Sequence, residues 1–251
     1  MHTEMRISMR NYLNVFYDGL DKLKINISDR QIEQFISFYN ILTERNKVMN
    51  LTAITEPVEI IEKHFLDSLS LVKAVDLSGD IKIIDVGTGA GFPGIPIIIS
   101  YPQLHITLLD SLNKRIGFIN DVIKLLNLKN VETIHGRSEE LGKNIKYREQ
   151  YDLCVSRAVA NLSVLSEYCI PFVKKGGKFI SYKSGNSAEE IENSKNAVDK
   201  LGGKLSDIVE FFMNDSINND KVYRNLVVID KIKETSGKYP RKAGIPSKEP
   251  L

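Results

Sequence analysis

The 251-residue sequence contains no tryptophan, only two cysteines and no long apolar run near its start. Cys154 and Cys169 form no CxxC pair, which argues against a disulfide framework or an all-cysteine zinc site and favours a reducing compartment, the cytoplasm. Charged residues interrupt the N-terminal segment, so we expect no secretory signal. The four histidines are scattered without ligand spacing, and we therefore expect no metal site.

Neither sign of charge is in large excess, because 34 lysines and arginines face 32 acidic residues, for a net charge of +2. The overall charge therefore neither indicates nor excludes a polyanionic partner. Hydrophobic residues make up 42% and charged residues 26%, proportions that exclude intrinsic disorder and fibrous repeats. One stretch without charged side chains, residues 86–109, holds four glycines and three prolines, which excludes a membrane-spanning helix.

Residues up to about 75 follow helical periodicity, which predicts an N-terminal helical cap. Ser28 and Gln31 have the spacing of a capping box at the start of a second helix. A third helix is predicted from about Thr55, with Pro57 in its first turn, where a missing N–H group is tolerated. The first helix carries an apolar stripe formed by Leu13, Phe16, Tyr17 and Leu20.

From Ile81 onward, short β-branched runs alternate with helical patterns, which is typical of βαβ units around a parallel sheet. The last two of seven predicted strands are joined by a loop too short for a crossover helix, so we expect them to pair antiparallel. The predicted strands are 81–86, 105–109, 131–135, 151–155, 178–182, 205–212 and 222–229. The predicted helices are 93–100, 113–126, 162–173 and 188–201.

A glycine-rich turn, residues 85–94, follows the first predicted strand. Glycines suit a tight turn whose backbone a ligand approaches closely. Residues 89–94 satisfy GxGxxG, and Asp110 follows at the end of the second strand, which is the pattern of dinucleotide-binding proteins. The turn equally satisfies the motif of S-adenosylmethionine-dependent methyltransferases, an acid followed by three alternate glycines, here Asp85, Gly87, Gly89 and Gly91. In that interpretation Asp85 holds the loop and the amino-acid end of the cofactor, and Asp110 accepts hydrogen bonds from the ribose hydroxyls.

Three features favour the methyltransferase interpretation. Pro93 and Pro96 remove N–H groups from the helix turn that a pyrophosphate would contact, which favours a cofactor without phosphates. The terminal antiparallel pair is typical of class I methyltransferases, and the chain offers no second domain to bring a reductase substrate to a nicotinamide. We therefore predict an α/β, class I (Rossmann-like) methyltransferase with a seven-stranded, mostly parallel sheet, its last strand antiparallel, plus the helical cap. An NAD-dependent oxidoreductase and an RNA-binding protein with a vestigial cofactor pocket are the alternatives.

Further motifs carry a family resemblance. They are Asn46 with Asn50-Leu51-Thr52-Ala53-Ile54, His64-Phe65-Leu66-Asp67-Ser68-Leu69, residues 85–96, Leu109-Asp110-Ser111-Leu112-Asn113-Lys114-Arg115, Ser156-Arg157-Ala158-Val159-Ala160, and residues 238–246. With these motifs the sequence resembles the GidB (RsmG) family from Asn46 to its C-terminus. The resemblance implies a bacterial enzyme that uses S-adenosylmethionine to methylate the N7 atom of a guanine in 16S ribosomal RNA, in the helix 18 loop of the small ribosomal subunit.

The same resemblance implies roles for individual residues. It places Gly87 and Phe92 at the methionine end of the cofactor, and it places Arg157 at the reaction face, where Arg157 also binds the cofactor. The residues implied around the ribose are Asp110, Ser111 and Leu112, and those beside the adenine are Ser138 and Glu139. Two positions depart from the family pattern, since Arg45 stands where tryptophan is usual and Ser138 where alanine is usual.

The chemistry of the residues agrees with a guanine-N7 target. Guanine N7 carries a lone pair and no proton, so its methylation needs no general base, and catalysis consists mainly of positioning. Cys154 and Cys169 fall inside a predicted strand and helix, where we expect buried small hydrophobes rather than a nucleophile. Arg157 is the candidate for orienting the target, because an arginine can stack on a base or bind a phosphate. A salt bridge to Asp85 or Asp110 is the alternative role for Arg157.

The distribution of charge predicts an RNA-binding surface. Residues 231–251 hold six lysines and arginines against two glutamates, and Tyr239 in this segment is a candidate for stacking on an unpaired base. Further candidate cations are Lys174, Lys175, Lys178, Lys183, Arg137 and Arg148. The sequence thus divides into a helical cap (1–75), a cofactor-binding domain (76–232) and a basic tail (233–251), in a monomer whose partner is 16S ribosomal RNA or the small ribosomal subunit.

Overall fold

The computed structural model describes residues 12–157 and 160–251 and shows a seven-stranded sheet between two layers of helices. All seven predicted strands are confirmed, most within one or two residues of the predicted bounds. The strands are β1 (Lys82–Val86), β2 (His105–Asp110), β3 (Val131–His135), β4 (Tyr151–Ser156), β5 (Val173–Ser184), β6 (Gly203–Asp215) and β7 (Asp220–Lys231). β6 and β7 extend beyond the predictions because their antiparallel pairing continues past their apolar centres, and β5 begins earlier because Val173 pairs with Tyr151 of β4.

The predicted helices are present, although the one predicted over 162–173 ends at Cys169, and two short helices, Ser138–Leu141 and Ile245–Lys248, were not predicted. The helices are α1 (Leu13–Leu23), α2 (Asp29–Met49), α3 (residues 57–73), α4 (Gly94–Ser100), α5 (Asn113–Leu125), α6 (Ser138–Leu141), α7 (Leu162–Cys169), α8 (Ala188–Lys200) and α9 (Ile245–Lys248). The capping box at α2 is present, because Gln31 N donates to Ser28 Oγ and Ser28 N donates to Gln31 Oε1. α3 begins at Pro57 as expected, but its middle, Ile60–Leu66, is π-helical, which no periodicity in the sequence indicated.

The strand order is β3-β2-β1-β4-β5-β7-β6, in which β7 runs antiparallel to both of its neighbours. The last strand therefore inserts between β5 and β6, while β1 to β5 are parallel. Because successive side chains of a strand point to opposite faces, Ile83 packs with the helical cap and Ile84 packs with the other helical layer. The carboxyl ends of five parallel strands meet at one edge of the sheet, where α/β proteins bind their ligands.

The N-terminal helices share one core with the sheet. Phe16 of α1, Phe35 of α2 and Phe65 of α3 are fully buried and contact one another, with ring centroids 4.8 to 6.2 Å apart. Phe65 lies 6.2 Å from the ring of Phe92, which follows β1. These contacts fix the position of α3 over the carboxyl edge of the sheet.

The basic tail is packed into the fold, which corrects the expectation for Tyr239. The Tyr239 side chain is only 6% exposed and packs in the core beneath the sheet, so it is not available to stack on a base. Arg148 donates to backbone carbonyls of Thr235 and Tyr239, and Lys231 is buried beside Glu149. Arg148 and Lys231 therefore hold the tail in place rather than contribute to an RNA surface.

Most of the other candidate cations are also engaged or distant from the carboxyl edge. Lys174 pairs with Asp152 and Lys178 with Asp230, both at the opposite edge of the sheet. Lys183 pairs with Glu190. The exposed lysines of the tail are Lys233, which lies 3.8 Å from Asp199, and Lys238, Lys242 and Lys248.

Replacing Arg241 with alanine should destabilise the fold by about 3 kcal/mol, because the buried carboxylate of Glu167 would lose its ionic partner. Arg241 Nη2 lies 2.6 Å from Glu167 Oε2, and the Glu167 side chain is 1% exposed. Urea unfolding measures the effect. The exposed neighbour Lys242 provides the matched control, since its alanine variant should change stability by less than about 0.5 kcal/mol. Equal stabilities of the two variants would show that the tail is not held by this ion pair.

Within the described residues, we find no helix whose length and apolar character would allow it to span a bilayer. Cys154 and Cys169 are both fully buried and free, which confirms that they act as small hydrophobes. Burial raises the pKa of the Cys154 thiol well above its ordinary value, so it cannot supply a thiolate nucleophile at neutral pH.

Candidate functional site

A cleft of about 930 Å³ opens at the carboxyl edge of the sheet, beneath α3. Its volume lies in the range of small-molecule sites, roughly 300 to 1,000 Å³. The predicted site residues that line it are Gly87, Gly89, Phe92, Asp110, Ser111 and Arg157. The structure thus brings together the glycine loop after β1, the acid at the end of β2 and the arginine after β4.

The glycine loop turns sharply away from β1. Gly87, Gly89 and Gly91 have φ angles of 75°, 61° and 94°, which side-chain-bearing residues rarely adopt. The N–H groups of Gly87 and Thr88 donate to Leu109 O at 2.9 and 3.1 Å, so the loop is anchored on β2. A Cβ atom on Gly89 would meet nothing closer than 4.0 Å, and this open side leaves room for a ligand against the backbone.

Asp85 acts beneath the loop rather than in the cleft. Its Oδ2 accepts hydrogen bonds from Thr88 Oγ1 at 2.7 Å and from Gly94 N at 2.9 Å. Its Oδ1 is buried without a hydrogen-bond partner in the described residues. Burial raises the pKa of Asp85 to about 7, since desolvation disfavours its charged form. The expectation that Asp85 holds the loop agrees with this geometry, whereas its contact with the cofactor stays a prediction.

Asp110 ends β2 and faces the cleft, although its side chain is nearly buried. Gly89 N donates to Asp110 Oδ2 at 2.9 Å, and Leu112 N donates to Asp110 Oδ1 at 2.8 Å. Arg115 Nη1 lies 3.4 Å from the same Oδ2, so Oδ1 is the oxygen that keeps a lone pair for a further donor such as a ribose hydroxyl. Ser111 lines the cleft, and the Leu112 side chain is 43% exposed at the start of α5.

Ser138 and Glu139 lie in α6, outside the cleft lining. Glu139 is buried and accepts a hydrogen bond from Gly244 N at 3.1 Å, so it contacts the C-terminal segment. The turn that carries them is close to the end of β2, because Gly136 N donates to Asp110 O at 3.1 Å. Their placement beside an adenine remains a prediction from the family resemblance.

Arg157 follows β4 and reaches across the cleft to α3. Its Nη1 donates to Asp67 Oδ2 at 2.8 Å and to the Lys63 carbonyl at 3.1 Å, in the π-helical segment. Its guanidinium lies 5.1 Å from the ring centroid of Phe92. Arg157 does not pair with Asp85 or Asp110, the alternative partners expected from the sequence. Its partner is Asp67, which α3 brings closer. Ala158 and Val159 of this motif lie outside the described residues.

His64 contacts both Arg157 and Phe92 of the glycine loop. Its ring stacks on Phe92 with centroids 4.5 Å apart and planes 17° apart. Arg157 Nη2 lies 3.3 Å from His64 Nδ1, so Nδ1 accepts and Nε2 carries the hydrogen that it donates to Thr52 Oγ1 at 2.8 Å. Burial and the Arg157 charge lower the pKa of His64 to about 3, which keeps the imidazole neutral.

The cleft residues that the predicted site missed include Asp67, Arg224 and Tyr182. Asp67 was visible only as part of the His64-to-Leu69 family motif, and helical spacing suggested no role beyond packing. Arg224 sits in β7 and Tyr182 in β5, where strand periodicity predicts the strand but not which side chains end at the cleft. Only the order of the strands brings them beneath α3.

The residues present fit S-adenosylmethionine. The open side of Gly89 suits a close approach of the cofactor to the backbone, and the remaining lone pair on Asp110 Oδ1 suits a ribose hydroxyl. Together with the strand order and the inserted antiparallel strand, they define a class I methyltransferase.

Comparisons with known proteins agree with the class and add the family. Solved structures with the same fold include the YcgJ protein of Bacillus subtilis, with a TM-score of 0.52 at 10% identity over 68% of this chain and 100% of that one. TYW2 of Pyrococcus horikoshii in complex with MeSAdo matches at a TM-score of 0.52 and 12% identity, over 66% of this chain and 61% of that one.

The GidB family model, described as rRNA small subunit methyltransferase G, matches residues 31–218, and the chain belongs to this family. Curated relatives named ribosomal RNA small subunit methyltransferase G are 50% identical in both Lachnoclostridium phytofermentans and Acetivibrio thermocellus. The matches cover 95% and 99% of this chain, and 97% and 99% of the relatives. The chain is therefore an S-adenosylmethionine-dependent methyltransferase, and the oxidoreductase and vestigial-pocket alternatives are not favoured.

Proposed function

We propose that this enzyme methylates the N7 atom of a guanine in 16S ribosomal RNA, in the helix 18 loop of the small ribosomal subunit. The observation that carries the choice of atom is that every carboxylate lining the cleft, within residues 12–157 and 160–251, is already engaged. Asp67 pairs with two arginines and Glu190 pairs with Lys183 at 2.6 Å. Asp110 accepts from two backbone N–H groups.

The cleft consequently offers no ready general base. His64 is neutral, but its Nδ1 accepts from Arg157 and its lowered pKa makes it a weak base. An exocyclic amine or a ribose hydroxyl must lose a proton on methylation, whereas guanine N7 presents a lone pair and no proton. A site without a base therefore supports an N7 target.

S-adenosylmethionine supplies, when bound, an electrophilic methyl group on a sulfonium. The glycine loop and Asp110 would hold the cofactor. α3 covers one side of the cleft and limits the access of water. Arg157 would orient the target guanine, because its guanidinium is fixed by Asp67 and by the Lys63 carbonyl. Catalysis in this arrangement rests on positioning.

Names of the relatives support the RNA substrate, since each is called a ribosomal RNA small subunit methyltransferase. The proposal extends that substrate class to this chain, which acts as a cytoplasmic monomer without a metal. Exposed lysines of the C-terminal segment, including Lys238 and Lys242, supply positive charge for RNA phosphates.

Transfer of labelled methyl from S-adenosylmethionine tests the proposal directly. Small-subunit particles from cells that lack this protein should accept the label, and mass spectrometry should map it to 7-methylguanosine in the helix 18 loop. Thermal protection by S-adenosylmethionine but not by NAD serves as the control for cofactor binding. Absence of transfer to particles and to their deproteinised RNA, with cofactor protection intact, would contradict the substrate.

A further inference from the structure

Two arginines that line the cleft share one buried carboxylate. Arg157 Nη1 lies 2.8 Å from Asp67 Oδ2, and Arg224 Nε lies 3.2 Å from Asp67 Oδ1. The Asp67 side chain is 5% exposed, and those of Arg157 and Arg224 are 17% and 16% exposed. Two positive charges thus face a single negative charge in a region largely removed from water.

Other cleft cations near this cluster have carboxylates of their own. Lys63 lies 2.6 Å from Glu59 and 3.0 Å from Asp215. Lys183 pairs with Glu190. The Asp67 cluster, defined as Asp67, Arg157 and Arg224, therefore carries an unmatched positive charge at the cleft wall. A partly buried excess charge favours binding of an anion.

Arg224 retains hydrogen-bond donors for such an anion. Its Nε is used by Asp67, and its Nη1 donates to the Tyr223 carbonyl at 3.3 Å. Its Nη2 donates to nothing in the part of the chain that the structure describes, yet the side chain lines the cleft. Because Asp67 holds one side of the guanidinium, the free side is preorganised for an oxygen ligand.

The position of Arg224 favours the RNA over the cofactor as the source of the anion. Arg224 lies on β7, which is separated from the glycine loop after β1 by β4 and β5. Three strand spacings of about 4.8 Å put the two strands about 14 Å apart. The loop and Asp110, on β1 and β2, define the cofactor end of the cleft, so Arg224 faces the other end.

We propose that Arg224 binds a backbone phosphate of the RNA substrate and that Asp67 is the positioning residue that orients its guanidinium. The proposal rests on the RNA substrate of the proposed function. Phosphate binding would bring the charges of the Asp67 cluster close to balance. It would also place the RNA backbone beside Arg157, where the target base is expected.

The test is the salt dependence of binding between the full-length protein and small-subunit particles, measured in 50 to 200 mM KCl at constant Mg²⁺. Arg224→Met removes the charge at similar length and should reduce the slope of log affinity against log salt by about 1, because one phosphate contact is lost. Affinity for S-adenosylmethionine, measured by calorimetry, should change less than about twofold. Arg30→Met, at an exposed residue in the first turn of α2, is the matched control and should retain the wild-type slope.

Two further variants separate charge from orientation and remain informative if Arg224→Met is poorly folded. Arg224→Lys keeps the charge and should keep the wild-type slope. Asp67→Asn should weaken particle binding several-fold without changing the slope, because the arginines keep their charges and lose their shared anchor.

An unchanged slope in folded Arg224→Met would overturn the proposal. Loss of S-adenosylmethionine affinity with unchanged particle binding would also overturn it, by assigning the anion to the carboxylate of the cofactor. Because binding is read without methyl transfer, particles that bind the wild-type protein but accept no label contradict the proposed function and leave this test intact. Wild-type protein that fails to bind particles contradicts both.

Discussion

Arg157→Ala should lower the rate of methyl transfer about 100-fold or more while leaving the protein folded. The side chain bridges β4 and α3 at the centre of the cleft, where it contacts Asp67 and the Lys63 carbonyl. Its removal takes away the group expected to orient the target guanine. Asp67 keeps Arg224 as a counter-charge, so the variant does not strand a buried carboxylate.

The measurement is single-turnover methylation of small-subunit particles at saturating protein, together with calorimetric affinity for S-adenosylmethionine and thermal unfolding. Arg157→Lys is the conservative control, because it retains the charge but cannot bond Asp67 and the backbone carbonyl in the same planar geometry. We expect Arg157→Lys to keep the positive charge in the cleft but to restore little of the rate of methyl transfer. A folded Arg157→Ala protein that transfers methyl groups at the wild-type rate would refute the assignment.

Asp85→Asn and His64→Gln should tilt the pH dependence of stability in opposite directions. The native pKa of Asp85 is raised to about 7 by burial, and that of His64 is lowered to about 3 by burial and by Arg157. Each shift changes the free energy of unfolding by about 1.4 kcal/mol per pH unit while the folded and unfolded states differ by one proton.

The signs follow from which state binds the proton. Between about pH 4 and 7, folded Asp85 is protonated and unfolded Asp85 is ionised, so its contribution falls as pH rises. Between about pH 3 and 6.5, unfolded His64 is protonated and folded His64 is neutral, so its contribution rises with pH and is lost on acidification. In the shared window the two slopes cancel in the wild-type protein.

Urea unfolding at several pH values from 4.5 to 6 should therefore show a difference of about 2 kcal/mol between the ends of the range for each variant relative to wild type. Asp85→Asn should become more stable, relative to wild type, as pH rises, and His64→Gln should become less stable. The double variant should run parallel to the wild-type protein. Parallel curves for the single variants would show that neither group has the native protonation state described.

Much of the fold could be predicted from the sequence because the patterns that indicate it are formed by residues close together in the chain. The capping box at Ser28 and Gln31, the β-branched runs of the strands and the short β6–β7 connection each depend on residues a few positions apart. The glycine loop and the acids at 85 and 110 were readable for the same reason, since each follows directly from the end of a strand. Two cofactor motifs fitted that loop, and the sequence itself favoured the methyltransferase motif through Pro93 and Pro96 and the short connection between the last two strands.

Contacts between residues far apart in the sequence could not be predicted. Asp67 meets Arg157 across 90 positions and Arg224 across 157, and nothing in helical or strand periodicity relates them. The interpretation of the C-terminal segment was wrong at Tyr239 for the same reason, because a run rich in lysine suggests a solvated tail. Burial of Tyr239 depends on partners from distant parts of the chain, including Arg148, whose guanidinium binds the Tyr239 carbonyl.

The sequence by itself therefore determined the class of fold, the cofactor loop and the family resemblance. The spacing of hydrophobic residues, the residue types in turns and the short motifs each depend only on residues that are neighbours in the chain. Only the tertiary structure decided which charges are free. Pairing of Lys183, Lys178 and Arg241 with acids, and the sharing of Asp67 by two arginines, arise from the folded arrangement of strands and helices. Electrostatic complementarity depends on distance and burial, which a sequence does not specify.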